Sequence, residues 1–185
     1  MTLYKGVEFA SRIEARWAVF FDALGVQWEQ YPAWVDGEPI SFWLPDVSAV
    51  TGHIGCYVDI RDLITDDRIE DARRVVSESG RDVVLFRGTP TRFLHSDQHS
   101  GLRGEAVVTH ILAVPGERSD SGEVLNVKHE IVSCGLHSFT IINDRPHIRI
   151  LTEEPWRRGH RHPRIVAALE KANTFYFGSQ KGRAA

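Results

Sequence analysis

Apolar residues recur at helical spacing near the start of the chain. In residues 8–24 every third or fourth position is apolar, and Gly25 follows. This spacing puts the apolar side chains on one face of a helix, and glycine commonly ends a helix. The same pattern predicts a second amphipathic helix over residues 66–79, ended by Gly80, and a final helix over residues 163–173.

β-branched and aromatic runs predict the strands between and after these helices. Residues 82–86 are predicted to form a buried strand, because residues 83–86 are a continuous apolar run. Residues 89–104 are polar and contain His and Gly, so they are predicted to form a loop. The remaining predicted strands cover residues 26–31, 40–44, 56–60, 106–114, 124–133, 139–142 and 147–151, and the second of these is expected to end at Pro45-Asp46.

The order of these elements predicts an α/β fold. A helix, three strands, a crossover helix and a further strand favour a mixed sheet with helices on its faces. Residues 1–90 are expected to form this core. Residues 91–185 are expected to form a β-rich C-terminal extension with a basic segment and a helix.

Composition and charge narrow the class of protein. With 42% hydrophobic residues and 25% charged residues in 185, the chain can bury a core. No membrane span or signal peptide is predicted, and two cysteines fit a reducing compartment, so a cytoplasmic protein is expected. The net charge of −3 hides an asymmetry, because residues 155–185 carry seven Lys/Arg and one acid. Residues 1–154 carry 15 Lys/Arg and 24 acids.

Two carboxylates and a cation form the candidate site. Asp59 and Arg61 share one face of a predicted strand, about 7 Å apart. Asp46 follows Pro45 at the end of the preceding strand, and Glu14 borders the apolar face of the first helix. Such oxygen ligands suit Mg²⁺ beside a phosphate. The alternative is structural, since Asp after Pro is commonly a turn former and Asp-x-Arg is commonly a surface ion pair.

Local sequence supports the site by resemblance to a family. Residues 7–25 read VEFASRIEARWAVFFDALG, followed by Trp28-Glu29, Leu44-Pro45-Asp46 and Tyr57-Val58-Asp59-Ile60-Arg61. These motifs resemble small phage and actinobacterial members of the PD-(D/E)xK nuclease superfamily. The resemblance covers about residues 4–90. It implies a restriction-endonuclease-like αβββαβ core.

The resemblance also implies a function and a site. It predicts a metal-dependent DNA endonuclease of a phage or mobile element in which Asp46, Asp59 and Glu14 bind Mg²⁺ or Mn²⁺. Arg61 takes the lysine position, where it stabilises phosphate charge but cannot act as a base. The alternative is a catalytically impaired nuclease-fold protein that binds nucleic acid or a protein partner without cleavage. Many sites of this kind act as dimers, so a homodimer is also considered.

A basic segment near the C-terminus supplies candidate phosphate contacts. Trp156 can stack on a base, and arginines placed before a helix oppose its dipole, which favours nucleic-acid contact over capping of that helix. The predicted DNA-binding residues are Trp156, Arg157, Arg158, His160, Arg161, His162 and Arg164.

The second half also holds four residues that could be considered as zinc ligands. They are His129, Cys134, His137 and His147, of which Cys134 and His137 have a permissible spacing. One such pair with loose partners does not make a zinc finger. Zinc is therefore not expected, and these residues are interpreted as core and strand-face positions.

Overall fold

The computed structural model describes residues 1–48, 54–90, 92–96, 103–107, 112–113, 116–118, 124–127, 137–150 and 162–178. Within these residues lie three helices: α1 (Arg12–Leu24), α2 (Asp66–Ser79) and α3 (Pro163–Thr174). The strands are β1 (Thr2–Tyr4), β2 (Val7–Phe9), β3 (Glu29–Gln30), β4 (Trp34–Val35), β5 (Glu38–Pro39), β6 (Phe42–Ser48), β7 (Ile54–Arg61), β8 (Asp82–Arg87), β9 (Arg92–Ser96), β10 (Arg103–Val107), β11 (Leu112–Ala113), β12 (Gly116–Arg118), β13 (Val124–Val127), β14 (His137–Ile142) and β15 (Arg145–Ile150).

Helix α1 begins later than the apolar spacing predicts. Its N-cap is Ser11, whose hydroxyl accepts the Glu14 amide while the Glu14 carboxylate accepts the Ser11 amide. This capping box satisfies amides that the first helical turn leaves free. Residues 8 and 9, which the spacing places in the helix, instead belong to β2, which pairs with β1. The predicted end at Gly25 is confirmed, because that residue has a left-handed backbone with φ 75°.

The mixed α/β class is confirmed by the central sheet. Its strand order is β11-β8-β7-β6-β15-β14, with β3 also paired to β6. β6 and β7 are antiparallel, whereas β7 and β8 are parallel and α2 connects them. A parallel pair needs such a crossover because its strands run in the same direction. Strands β14 and β15, from the second half of the chain, belong to the same sheet.

Strand β6 runs beyond its predicted end. It continues through Pro45 and Asp46 to Ser48, where it pairs with both β7 and β15. Pairing with β7 is irregular between Leu44 and Ser48. Proline has no amide hydrogen for a ladder, and an irregular stretch is where a sheet accepts it.

Helices cover both faces of the sheet. The larger core cluster includes Trp17 and Phe21 of α1, Phe42 of β6 and Phe139 of β14, together with residues of α3. The second cluster joins α2 to β8 on the other face. β7 contributes alternately to both sides, and this alternation directs Asp59 away from α1's apolar cluster and towards α2.

The second half departs most from the predicted elements. The predicted loop over residues 89–104 contains β9 and part of an antiparallel partner, β10. The loop was predicted because polar residues outnumber apolar ones there. That prediction is wrong where β9 and β10 lie. None of the described helices is long and apolar enough to cross a membrane.

Candidate functional site: a buried carboxylate held by two arginines

The candidate site is centred on Asp59 in β7. Its side chain is completely buried, with 0% exposure. Phe42 pairs with Val58, which brings Ser41, just before β6, beside Asp59. The Ser41 amide and hydroxyl both lie 3.3 Å from Asp59 Oδ1. A buried carboxylate at this position requires compensating charge and hydrogen bonds.

Two guanidinium groups provide that charge. Arg61 Nε donates to Asp59 Oδ2 at 3.0 Å, and Arg68 Nε donates to the same oxygen at 2.6 Å. The Nη2 atoms of both arginines donate to the backbone carbonyl of Pro39, each at 2.8 Å. Two arginines therefore hold the same pair of acceptors. They tie β7 and α2 to the end of β5.

Two further acids offset the like charges of the arginines. Glu38 Oε2 lies 3.1 Å from Arg61 Nη1 and 3.9 Å from Arg68 Nη1. Asp71, one turn along α2, lies 3.3 Å from Arg68 Nη1. Burial lowers the pKa of Arg68, but its contacts with Asp59 and Asp71 outweigh burial and raise that pKa. Arg68 therefore stays protonated although its side chain is 5% exposed.

Glu14 joins this cluster through Ser41. Ser41 Oγ lies 3.0 Å from Glu14 Oε1 and accepts the Ile60 amide at 3.0 Å. A hydroxyl has one hydrogen to donate, so it satisfies Glu14 while the Ser41 amide serves Asp59. Glu14 Oε1 and Asp59 Oδ1 both contact Ser41 Oγ, so these two carboxylate oxygens are no more than about 6 Å apart. The structure thus brings together Glu14, Asp59 and Arg61 of the predicted site.

Tyr31 closes the side of the cluster near α1. Its hydroxyl donates to Glu14 Oε2 at 3.1 Å and accepts the Ala10 amide at 3.0 Å. Burial raises the pKa of Tyr31, the Ala10 contact opposes that rise, and the nearby Glu14 carboxylate adds to it. Tyr31 has φ 51°, a left-handed backbone that a bulky residue rarely adopts. Its position against Glu14 and Ser41 holds that conformation.

Asp46 does not join the cluster, which corrects the predicted pairing with Asp59. Asp46 is exposed and lies four residues after Phe42 on β6. Phe42 pairs with Val58 of the antiparallel strand β7, so Asp59 lies beside the residue before Phe42, on the other side of that pair from Asp46. The separation along the strands is about 13 Å or more at the usual rise per residue. Two aspartates this far apart cannot share one Mg²⁺ with ligand distances near 2.1 Å.

The residues around Asp59 do not fit a divalent metal in this arrangement. Both Asp59 oxygens already accept hydrogen bonds from the chain, and the two guanidinium cations on Oδ2 would repel a divalent cation. Glu14 likewise has donors on both oxygens. No group of three or more His, Cys, Asp or Glu side chains in the described part of the chain is arranged to hold a metal ion.

Most of the predicted nucleic-acid segment lies outside the described residues. The predicted contacts that lie outside are Trp156, Arg157, Arg158, His160 and Arg161. His162 caps α3, where its Nδ1 accepts the Arg164 amide at 3.3 Å. Arg164 reaches a different helix, and its Nη2 donates to the Leu24 carbonyl at the end of α1 at 2.8 Å. The dipole argument against capping holds for an arginine's own helix, but it does not forbid contact with another helix's C-terminus.

The residues considered for zinc are only partly described. His129 and Cys134 lie outside the described residues. His137 pairs with Ile150 and His147 pairs with Thr140, so the two histidines lie three register steps apart on the β14-β15 hairpin. That separation is about 10 Å along the strands. No zinc site is supported by these two residues.

Sequence reasoning missed five members of the cluster, which are Tyr31, Glu38, Ser41, Arg68 and Asp71. Arg68 lies four residues before Ala72 and seven before Val75, so it belongs to the buried face of α2. A charged residue on an apolar helix face is a signal for a buried partner, and this signal was available. Ser41 carried no comparable signal, because its register with Asp59 depends on a connection of unknown path between the strands.

No protein-family model, curated protein or solved structure matches the chain.

Proposed function

We propose that this chain is a nuclease-like protein that binds nucleic acid without metal-dependent cleavage. Support comes from the order of the helices and central-sheet strands in the first half, α1, β3, β6, β7, α2 and β8, which is the αβββαβ order that the resemblance implies once the separate β4-β5 hairpin is set aside. One observation carries the proposal: the Asp59 carboxylate is buried and fully engaged by Ser41, Arg61 and Arg68. A carboxylate with these partners holds β7, α2 and the end of β5 together and leaves no oxygen free to bind a metal.

DNA is the proposed partner because of the charge distribution. Residues 155–185 carry seven Lys/Arg against one acid, although the whole chain has a net charge of −3. A local run of arginines can bind phosphates by releasing their counterions even on an acidic protein. The arginines proposed for this contact are Arg157, Arg158 and Arg161. Arg164 is assigned a structural role instead, since it caps α1.

A binding experiment tests this proposal directly. We expect labelled duplex DNA to bind with a strong salt dependence, measured by fluorescence anisotropy. Replacing Arg157, Arg158 and Arg161 together by Gln should weaken binding and reduce the slope of log K against log salt by about 2 to 3. A matched triple variant at the exposed Arg12, Arg81 and Arg145 removes the same charge elsewhere. Equal loss in both triple variants would contradict a specific role for the basic segment.

A cleavage experiment tests the second part of the proposal, which is that the chain does not cleave DNA with a metal ion. We expect no cleavage of plasmid or oligonucleotide DNA by the wild type with Mg²⁺ or Mn²⁺, and none by Asp59→Asn. Binding should survive Asp46→Ala, because Asp46 lies outside the buried cluster. Metal-dependent cleavage by the wild type that is lost in Asp59→Asn would overturn the non-cleaving function.

Metal-dependent DNA cleavage is the second candidate function. The proximity of Glu14 and Asp59, which contact the same Ser41 hydroxyl, favours it. It requires the chain to release Asp59 from its arginines when substrate binds. The discriminating result is cleavage by the wild type that disappears in both Glu14→Gln and Asp59→Asn, while Arg61→Lys keeps or increases the rate.

A further inference from the structure

We propose that the β4-β5 hairpin is a lid over the Asp59 cluster and that Arg74 of α2 is the latch that holds the lid shut. When the lid opens, Glu38 and the Pro39 carbonyl leave the guanidinium groups that neutralise Asp59, and solvent reaches the cluster. This device goes beyond the proposed function, because the lid opens and closes without nucleic acid.

The end of β5 covers the buried part of the cluster. The Pro39 carbonyl accepts a hydrogen bond of 2.8 Å from each of Arg61 and Arg68, and both arginines also donate to Asp59. The side chains of Asp59 and Arg68 are 0% and 5% exposed, whereas the neighbouring Glu38 is 63% exposed. Movement of β5 away from β7 would therefore remove an acceptor from both arginines and open Arg68 to water.

The hairpin has a small apolar anchor. Its two strands have two residues each, and a two-stranded hairpin is at best marginally stable by itself. Val35 packs into the core cluster of α2 and β8, whereas Trp34 beside it is 65% exposed. The hairpin therefore depends on its polar contacts with the rest of the fold, and it loses its own hydrogen bonds when it leaves α2.

An acidic groove of about 330 Å³ lies between the hairpin and α2. The hairpin contributes two acids to its lining and α2 contributes three acids and one cation: Asp36, Glu38, Asp67, Glu70, Asp71 and Arg74. Like charges on the two walls repel each other. Arg74 is the one cation among the described residues that line this groove, so its removal leaves acids facing acids.

Arg74 joins the two walls of the groove. Its Nη1 and Nη2 atoms lie 3.2 and 2.6 Å from the two carboxylate oxygens of Asp36, and Nη2 also contacts Asp71. The hydrogen bond between Arg74 and Asp36 lowers the pKa of Asp36 and raises that of Arg74, so both groups are ionised at neutral pH. Their side chains are 50% and 70% exposed, and dissolved salt therefore reaches the latch.

Hydrogen exchange followed by nuclear magnetic resonance measures the opening of the lid. The Ile40 amide donates to the Ala33 carbonyl across the base of the hairpin at 2.8 Å, so it exchanges when the hairpin opens. The Nε hydrogen of Arg68, which is bonded to Asp59, reports whether the cluster opens too. In the wild type we expect both hydrogens to exchange faster than the amides of β7, which exchange only when the central sheet unfolds.

The decisive variant is Arg74→Gln. We expect it to speed the exchange of the Ile40 amide and of Arg68 Nε by about three- to fivefold, the range open to an exposed ion pair, and to leave the amides of β7 unchanged. Arg73→Gln is the matched control, because it removes the same charge from α2 at a position where the arginine pairs with Glu70 of the same helix.

The other half of the latch gives a second variant. Asp36 has φ 49°, a left-handed backbone that asparagine also accepts, so Asp36→Asn preserves the turn. In the Asp36→Asn background, Arg74→Gln should change the Ile40 exchange rate by less than about twofold, because the bond is already absent. Salt provides an independent check. Raising it from about 0.1 M to about 1 M shortens the screening length from about 10 to about 3 Å, so the difference between Arg74→Gln and the wild type should shrink.

Four results would overturn the lid. The first is an effect of Arg74→Gln no larger than that of Arg73→Gln, and the second is an undiminished effect in the Asp36→Asn background. The third is exchange of Ile40 in the wild type no faster than that of β7, since the hairpin would then open only with the whole fold. The fourth is an unchanged rate at Arg68 Nε when Ile40 exchanges faster, since the hairpin would then not cover the cluster.

Discussion

Arg164 donates a hydrogen bond of 2.8 Å from Nη2 to the backbone carbonyl of Leu24, 140 residues earlier in the chain. The reverse contact also exists, because Arg16 Nη1 donates to the carbonyl of Asn173 at 2.9 Å. Helices α1 and α3 therefore cap each other's C-termini as they pack side by side. Each arginine brings positive charge to the end where a helix dipole is negative.

Removing this contact should lower stability. We expect Arg164→Ala to reduce the free energy of unfolding by about 1 kcal/mol, because the Leu24 carbonyl loses a charged donor. Urea denaturation followed by circular dichroism measures the change. Arg145→Ala at an exposed position is the control, with an expected change within about 0.5 kcal/mol. Equal effects of the two variants would show that the Leu24 contact contributes nothing.

Ser41 offers a prediction about the buried cluster. Ser41→Ala removes the hydroxyl that donates to Glu14 and accepts the Ile60 amide, at 3.0 Å in each case. Both partners are then left inside with one contact fewer, and we expect a loss of about 1 to 3 kcal/mol in the free energy of unfolding. Urea denaturation again measures it.

A second variant identifies the cause of that loss. In the background of Glu14→Gln, whose amide group is neutral, Ser41→Ala should cost less than it does in the wild type. The difference between the two costs is the coupling of the serine hydroxyl to the carboxylate. A coupling near zero would mean that the contact between the Ser41 hydroxyl and Glu14 contributes nothing to stability.

Gly55 lies under the indole of Trp43. Its φ is 89°, and a Cβ placed on it would approach Trp43 Cη2 to 2.6 Å. Gly55→Ala should therefore displace Trp43 from its contact with Tyr57, where the ring centroids are 4.8 Å apart. Gly37→Ala, with φ 84° and no neighbour within 4 Å, carries the backbone strain alone.

The two glycine variants separate strain from steric conflict. We expect Gly37→Ala to cost about 1 to 2 kcal/mol, as a left-handed backbone does for an L-residue. Gly55→Ala should cost at least about 1 kcal/mol more, because the ring must move. Urea denaturation gives both values, and near-ultraviolet circular dichroism should change only for Gly55→Ala. Equal costs and equal spectra would argue against the close packing of Trp43.

The sequence predicted best those helices and strands whose ends are marked by capping residues and whose apolar positions are regularly spaced. Helix α2 runs from Asp66 to Ser79 as predicted, because Thr65 caps its start and Gly80 its end. The site was only partly predictable. Asp59 and Arg61 are two residues apart on one strand, so their contact follows from strand geometry. Arg68 reaches Asp59 only because α2 packs across the sheet, and that approach is a property of the tertiary fold.

The error at Asp46 has a similar physical origin. Its place after Pro45 suggested a strand end, but β6 accepts the proline at an irregular point of the ladder and continues to Ser48. The register between β6 and β7 then decides which residue faces Asp59. A shift of a few residues replaces a carboxylate by the hydroxyl of Ser41, and composition alone does not determine that shift.

Asp22 predicts how stability depends on pH. It accepts hydrogen bonds from Tyr4 Oη at 2.9 Å and Trp28 Nε1 at 3.0 Å, and it pairs with Lys5 Nζ at 2.7 Å. Burial raises the pKa of Asp22, but the contacts with Lys5, Trp28 and Tyr4 together lower it below its ordinary value of 3.8. The folded state therefore favours the ionised form. This stabilisation is complete above pH 3.8 and is lost as pH falls through the lower pKa of the folded state.

We therefore expect Asp22→Asn to be less stable than the wild type by roughly 1 kcal/mol at neutral pH, where solvent screening limits the ion pair. The difference should stay constant from about pH 7 to pH 5 and shrink below about pH 4, since protonation removes the charge from the wild type. Urea denaturation of both proteins across this range measures it. Asp144→Asn is the exposed control, its side chain being 91% exposed. A difference for Asp22→Asn that grows as pH falls would contradict the lowered pKa.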